Sequence, residues 1–123
     1  MLIDSNILIY VTQPEHGALR RWIVQTLPKV SVISKVEVLG SIGYDLRSRQ
    51  RSKPCWMHWR SYYPSPATFE IALQLRQHRK LTLGDALIAA TCIEHGFTLA
   101  THNTADFDWL NEINIIDPLG AIR

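Results

Sequence analysis

MLIDSNILIY, residues 1–10, decides how the rest of the chain is read. Leu2 and Ile3 make a very short apolar run that stops at a carboxylate, Asp4. Ser5 and Asn6 follow, both turn or cap formers, and residues 7–10 resume the apolar run. So short a strand leaves no room for an amphipathic pattern, and it reads as a central strand covered on both faces. An acid at the C-terminal end of such a strand stands where open α/β sheets bind ligands, in the crevice beyond the strand ends. The fold and the function both turn on whether other acids arrive at the same place.

The chain has 123 residues, 46% hydrophobic and 20% charged, which is ordinary for one globular domain with a single core. A formal charge of +2 does not by itself announce nucleic-acid binding. Cys55 and Cys92 have neither metal-site nor redox spacing, so a reducing compartment is expected. No apolar stretch approaches the ~18 residues of a membrane span, and Asp4, with no base before it, argues against a signal peptide. These features point to a cytoplasmic domain with no membrane association.

Outward from the first strand, residues 7–11 suit a short helix. Residues 15–27 place Leu19, Trp22 and Ile23 on one face of a better one, stopped by Pro28. The β-branched residues 30–33 predict a second strand closed by Ser34. Val36, Leu39, Ile42 or Gly43, and Leu46 then recur at helical spacing, with Glu37 in the first turn. Ser65 caps and Pro66 opens a helix running to about residue 80. Thr82 opens another that runs to residues 94–95, with Gly96 as its stop. Its small residues Ala86, Ala89 and Ala90 let it lie close to a sheet. Residues 97–101 and 113–116 predict strands, separated by a turn and short helix over 103–110. Strands alternating with helices imply a three-layer α/β/α sandwich with a central, mainly parallel sheet.

Residues 47–64 interrupt this regularity. Arg47, Arg49, Arg51, Lys53 and Arg60 occur with no acid among them, and Trp56, Trp59, Tyr62 and Tyr63 crowd the second half. One reading is a solvated helix pair with a few aromatics reaching the core. The other is a nucleic-acid-facing patch in which bases such as Arg49, Arg51 and Lys53 meet phosphates and aromatics stack on nucleobases.

Four acids lie at strand ends or helix starts: Asp4, Glu37, Asp85 and Asp106. In a parallel sheet such points converge on one edge. Four carboxylates brought together repel, so without a cation some stay protonated; hard oxygen donors suit Mg²⁺ or Mn²⁺. Ser34 to Glu37 and Thr82 to Asp85 also fit capping boxes, in which the acid only closes a helix end. Capping, however, does not require acids after several different strands. Gly84 in a first helical turn, about 1 kcal/mol worse than Ala, is tolerable where a close approach requires it.

Together, Asp4-Ser5-Asn6 after a leading strand, Glu37 in SKVEVLG, Asp85 in LTLGDALIAAT and the late THNTADF resemble a PIN domain, most closely the VapC-type toxins of prokaryotic toxin–antitoxin pairs. The resemblance covers about residues 1–43 and 65–118. It implies a single-domain α/β/α ribonuclease over residues 1–123, using Mg²⁺ or Mn²⁺, inhibited by a VapB-like antitoxin and usually a homodimer. By matching position it implies an acidic site of Asp4, Glu37, Asp85 and Asp106, supported by Asn103 and by Asn6 or Thr101. The atypical segment 44–64 departs from the family: amphipathic helices and an apolar strand are expected there, and Ser-Tyr-Tyr-Pro stands in the strand's place.

The expected function is metal-dependent hydrolysis of RNA phosphodiester bonds. Asp4 and Asp85 would hold the metal most directly, while Glu37 and Asp106 complete its shell or orient the attacking water. Two rivals come from other classes. A PIN-like binding scaffold that no longer cuts would follow from the altered middle segment. A receiver-type phosphoacceptor domain would need an acidic pair after the first strand and a late lysine; here Ser5 and Asn6 follow Asp4, and Asp117-Pro118 closes the last strand.

Overall fold

The computed structural model describes residues 1–40, 56 and 59–121. Five short strands form one sheet: β1 (Leu2–Ile3), β2 (Lys29–Ser31), β3 (Ser61–Tyr62), β4 (Leu99–Ala100) and β5 (Ile115–Ile116). Their order is β3-β2-β1-β4-β5 and every pairing is parallel. β1 is therefore central, with strands added outward on both sides. The helices are α1 (Ser5–Val11), α2 (Gly17–Thr26), α3 (Val32–Leu39), α4 (Pro66–His78), α5 (Leu83–His95) and α6 (Pro118–Ala121).

The expected double covering of β1 is present. Ile3 packs into a core with Ile7, Leu8, Leu19, Ile23, Val30 and Trp56, while its neighbour Leu2 packs into another with Ile88, Cys92, Leu99 and Phe107. Successive strand residues point to opposite faces, so a two-residue strand serves two cores. This is the α/β/α sandwich expected from the sequence.

Several local expectations hold. Ser65 and Thr68 close a reciprocal capping box at α4 with Pro66 in the first turn. Thr82 caps α5, and Gly96 ends it in the left-handed region at φ 70°. Two expectations fail. β2 stops at Ser31, whose hydroxyl accepts from the Ile33 N–H at 3.1 Å, so α3 begins at Val32 and Ser34 is inside it. Glu37 accordingly sits in the second turn, too far along to close a capping box. The Ser-Tyr-Tyr segment, read as departing from a strand, forms β3 and pairs with β2.

In the Trp-rich segment, Trp56 is fully buried, and its indole N–H donates to the Leu8 carbonyl at 3.2 Å. It belongs to the core and is unavailable for stacking on bases. Arg49, Arg51 and Lys53 lie outside the described residues. Among the described residues, no helix is long and apolar enough to cross a membrane.

Candidate active site

The sheet order places a crevice between β1 and β4, where the chain turns outward in opposite directions, the usual ligand position in open α/β sheets. Asp4 emerges there directly from β1. Its peptide N–H donates to the Ala100 carbonyl of β4 at 2.9 Å, which fixes the backbone from which its carboxylate projects. Oδ1 accepts from the Ser5 N–H at 2.7 Å, making Asp4 the N-cap of α1. Oδ2 accepts from the Thr101 hydroxyl at 2.8 Å, and Thr101 Oγ1 in turn accepts from the Asn103 N–H at 3.1 Å. Thr101 is fully buried just after β4, so it aims Asp4 without itself facing solvent.

Glu37 reaches the same place from α3. The Ser5 hydroxyl donates to its Oε1 at 2.9 Å. Its carboxylate lies over Gly84 of α5, where a Cβ would stand 2.7 Å from Oε2 and 2.9 Å from Oε1. Gly84 thus permits α3 and α5 to bring an acid between them. Asp85 follows in the first turn of α5, with its N–H donating to Thr82 Oγ1 at 3.1 Å.

Asp4, Ser5, Asn6, Glu37, Asp85 and Asn103 line one cavity of about 260 Å³. Asn6 Oδ1 is buried with no hydrogen-bond partner among the described residues. Asp106, at the end of a 3₁₀ turn over Thr104–Asp106, lines a second cavity of about 620 Å³ together with Asp85, Arg76, Arg79, Lys80 and Trp109. Asp85 therefore belongs to both.

The acids sense one another. Burial raises the Asp4 pKa above the ordinary carboxylate value; the bonds from Thr101 and Ser5 oppose the rise, and the charges of Glu37 and Asp106 add to it. Burial also raises Asp85, followed by the charge of Asp4; the Thr82 hydroxyl opposes this, and Asp106 adds a smaller push upward. Mutual repulsion of this kind is relieved by a cation.

The residues present fit a hard divalent ion. Carboxylate and amide oxygens are the donors that Mg²⁺ and Mn²⁺ prefer. Each Asp4 oxygen uses one acceptor position on Ser5 or Thr101 and keeps another. Among the described residues, no three His, Cys, Asp or Glu side chains are gathered closely enough to grip an ion between them.

The sequence did not single out Arg76, Arg79, Lys80 or Trp109. Bases at or just beyond the end of a helix ordinarily answer its dipole, and only the folded structure sets them in a cavity with Asp85 and Asp106. His102 bonds to Asp117, with Nδ1 3.2 Å from Oδ2, and meets Tyr10 edge-on.

The PIN domain family model matches residues 1–112. The chain is 30% identical to Ribonuclease VapC10 of Mycobacterium tuberculosis over 92% of its own length and 90% of the relative's. A chain of a toxin–antitoxin complex from Klebsiella pneumoniae superposes with a TM-score of 0.73 at 30% identity, covering 95% of this chain and 96% of that one. A chain of the DNA-bound VapBC from Salmonella typhimurium superposes at 0.79 with 17% identity, over 95% and 96%, a likeness of fold. The family match spans the strand that leads into Asp4, the Glu37 and Asp85 helices and the turn carrying Asp106: this chain belongs to the PIN domain family.

Proposed function

We propose that this protein is a divalent-metal-dependent endoribonuclease and the toxin of a VapBC-type pair, acting in the cytoplasm. The carrying observation is the convergence of Asp4, Glu37 and Asp85 on one cavity at the central crevice of the sheet, with Asp106 close enough to raise the pKa of both aspartates. The 30% identical relative named as a ribonuclease supports the chemistry, and the toxin–antitoxin complex at the same identity supports the pairing.

Asp4 and Asp85 would hold Mg²⁺ or Mn²⁺, with Glu37, Asp106 and the Asn6 and Asn103 amides completing the surroundings. The ion, when bound, supplies the positive charge that acidifies a water and offsets charge developing on the phosphoryl oxygens. The protein's own part is positional. Thr101 and Ser5 fix both oxygens of Asp4, and Ser5 and Gly84 fix Glu37 at the cavity mouth, where it can accept a proton from the attacking water.

The partner of the pair would be a VapB-like antitoxin. A cavity of about 480 Å³ lined by Val11, Ile23, Val24, Leu27 and Trp59 offers an apolar seat for it. Val24 and Leu27 are 72% and 77% exposed. Homodimer formation belongs to the same proposal, and Phe69 and Leu73, one turn apart and exposed on α4, supply an apolar patch for it.

The test is cleavage of a mixed RNA pool with and without Mn²⁺, by the unaltered protein and by Asp85→Asn. Metal-dependent cleavage that Asp85→Asn abolishes supports the proposal. Full cleavage by Asp85→Asn would end it, and RNA binding without cleavage would favour a scaffold that no longer cuts.

A further inference from the structure

The cavity of about 620 Å³ beside the acids is lined by charges of both signs: Asp85 and Asp106, and Arg76, Arg79 and Lys80. Opposite charges sharing a cavity ordinarily pair, yet among the described residues none of these three bases forms an ion pair. All three are exposed, and they line the cavity without a salt bridge to its acids.

Two of the bases are also held in place. Arg76 Nε donates to the Leu81 carbonyl at 3.1 Å, which leaves its terminal N–H groups unengaged by that bond. The Arg79 guanidinium lies over the Trp109 ring, 5.3 Å from its centroid. The Trp109 indole N–H donates to the Asp106 carbonyl at 2.9 Å. One indole therefore joins the turn carrying a candidate metal ligand to a guanidinium lining the same cavity.

We propose that Arg76, Arg79 and Lys80 hold the phosphate next to the scissile one in a single-stranded RNA, with Trp109 as the positioning residue for Arg79. The inference rests on the ribonuclease reading of the neighbouring acids. A guanidinium presents a planar fork of donors matched to phosphate oxygens, and stacking on an indole fixes that fork before the ligand arrives. A concavity of this size admits a nucleotide and its flanking phosphate, whereas a duplex shows its phosphates on the outside of a stacked cylinder. The acids repel the strand unless a cation intervenes. The bases attract it regardless, so binding and cutting are separable.

The probe is a short labelled oligouridylate, titrated at several salt concentrations against Asp4→Asn protein without metal, so that the strand stays whole. Adding Arg79→Gln and Lys80→Gln should weaken binding and reduce the salt slope by up to about 0.7, the share of one phosphate contact on a single strand. Trp109→Leu should weaken binding and Trp109→Phe should restore most of it. A merely structural role for the indole would instead lower the melting temperature without changing the slope. In protein with Asp4 intact, the double variant should raise KM with kcat held, because the contact is common to ground and transition states.

An unchanged salt slope overturns the proposal. So does displacement of the oligouridylate by polyglutamate at equal charge concentration, which would make this a surface for an acidic polypeptide. A reduced slope without cleavage by the unaltered protein supports the subsite and removes the ribonuclease reading. Cleavage with an unchanged slope does the reverse.

Discussion

Gly84 and Glu37 meet at the mouth of the acidic cavity so closely that a Cβ on the glycine would stand 2.7 Å from Oε2 of the glutamate. The absent methyl group is what lets two helices share one carboxylate. Gly84→Ala should therefore separate stability from activity. In the backbone of a helix the change is favourable by about 1 kcal/mol, and the clash falls on the movable end of a side chain. The melting temperature should stay level or rise, while RNA cleavage falls tenfold or more because Glu37 is displaced. Thermal melts beside a cleavage time course check this; a variant that cuts normally would remove Glu37 from the site.

Thr101→Val keeps the shape of a fully buried residue and removes the hydroxyl that donates to Asp4 and accepts from Asn103. Two groups lose partners, one of them a carboxylate, so the expected loss is about 2 kcal/mol of stability. Thr101→Ser should recover most of it. Urea titrations of the three proteins at one pH measure the difference.

Asp4 and Asp85 are both raised in the folded state. Their effect is thus stabilising at acid pH, where the carboxyls are protonated, and is lost as pH rises past the ordinary Asp value through the raised folded values. Glu94 works oppositely: the Thr68 and Ser65 hydroxyls lower its pKa, and its contribution is lost on acidification. Metal-free Asp4→Asn, which can still cap α1, should be more stable than the parent at neutral pH, with the difference shrinking toward acid. Mn²⁺ should raise the parent's melting temperature by mass action and leave Asp4→Asn nearly unmoved. Melting curves across pH, with and without Mn²⁺, test both signs.

Leu27 ends α2 in the left-handed region at φ 47°, a conformation that bulky side chains rarely adopt, and is 77% exposed. Leu27→Gly should relieve about 1 kcal/mol of backbone strain while removing an apolar contact from the proposed antitoxin seat. Stability should rise and affinity for the antitoxin should fall, with RNA cleavage unchanged. Val24→Asp, which has no strain to relieve, should lose antitoxin affinity without the gain in stability.

The parts of this fold that the sequence reveals are those written in local chemistry. Thr82 and Gly96 bracket α5, Ser65 and Pro66 open α4, and Leu2-Ile3 before an acid reads as a covered central strand. Each signal acts within a few residues of itself. The α3 boundary was misread because Val30, Val32 and Ile33 are β-branched and favour a strand in isolation. The chain instead turns at Ser31, whose side chain closes the helix end, and this carries Glu37 into the second turn. Tyr62 looked out of place in a strand, yet its ring meets His95 and Phe97 edge-on, at centroid distances of 5.5 and 5.3 Å. Those partners are remote in sequence. Arg79 and Trp109 are likewise legible separately, and only folding stacks one on the other.

The bond from Thr101 to Asp4 spans 97 residues, and the strand that precedes Asp4 needs β2 on one side and β4 on the other before both its edges are paired. During synthesis, the second edge of the leading strand therefore waits for the final quarter of the chain. Until residues 99–101 leave the ribosome, the Asp4 peptide has no Ala100 carbonyl to bond and its carboxylate no hydroxyl to orient it. A nascent or prematurely terminated chain would contain Asp4, Glu37 and even Asp85 without their geometry. For a nuclease made beside the RNA that encodes it, this topology delays the weapon until the last strands are in hand.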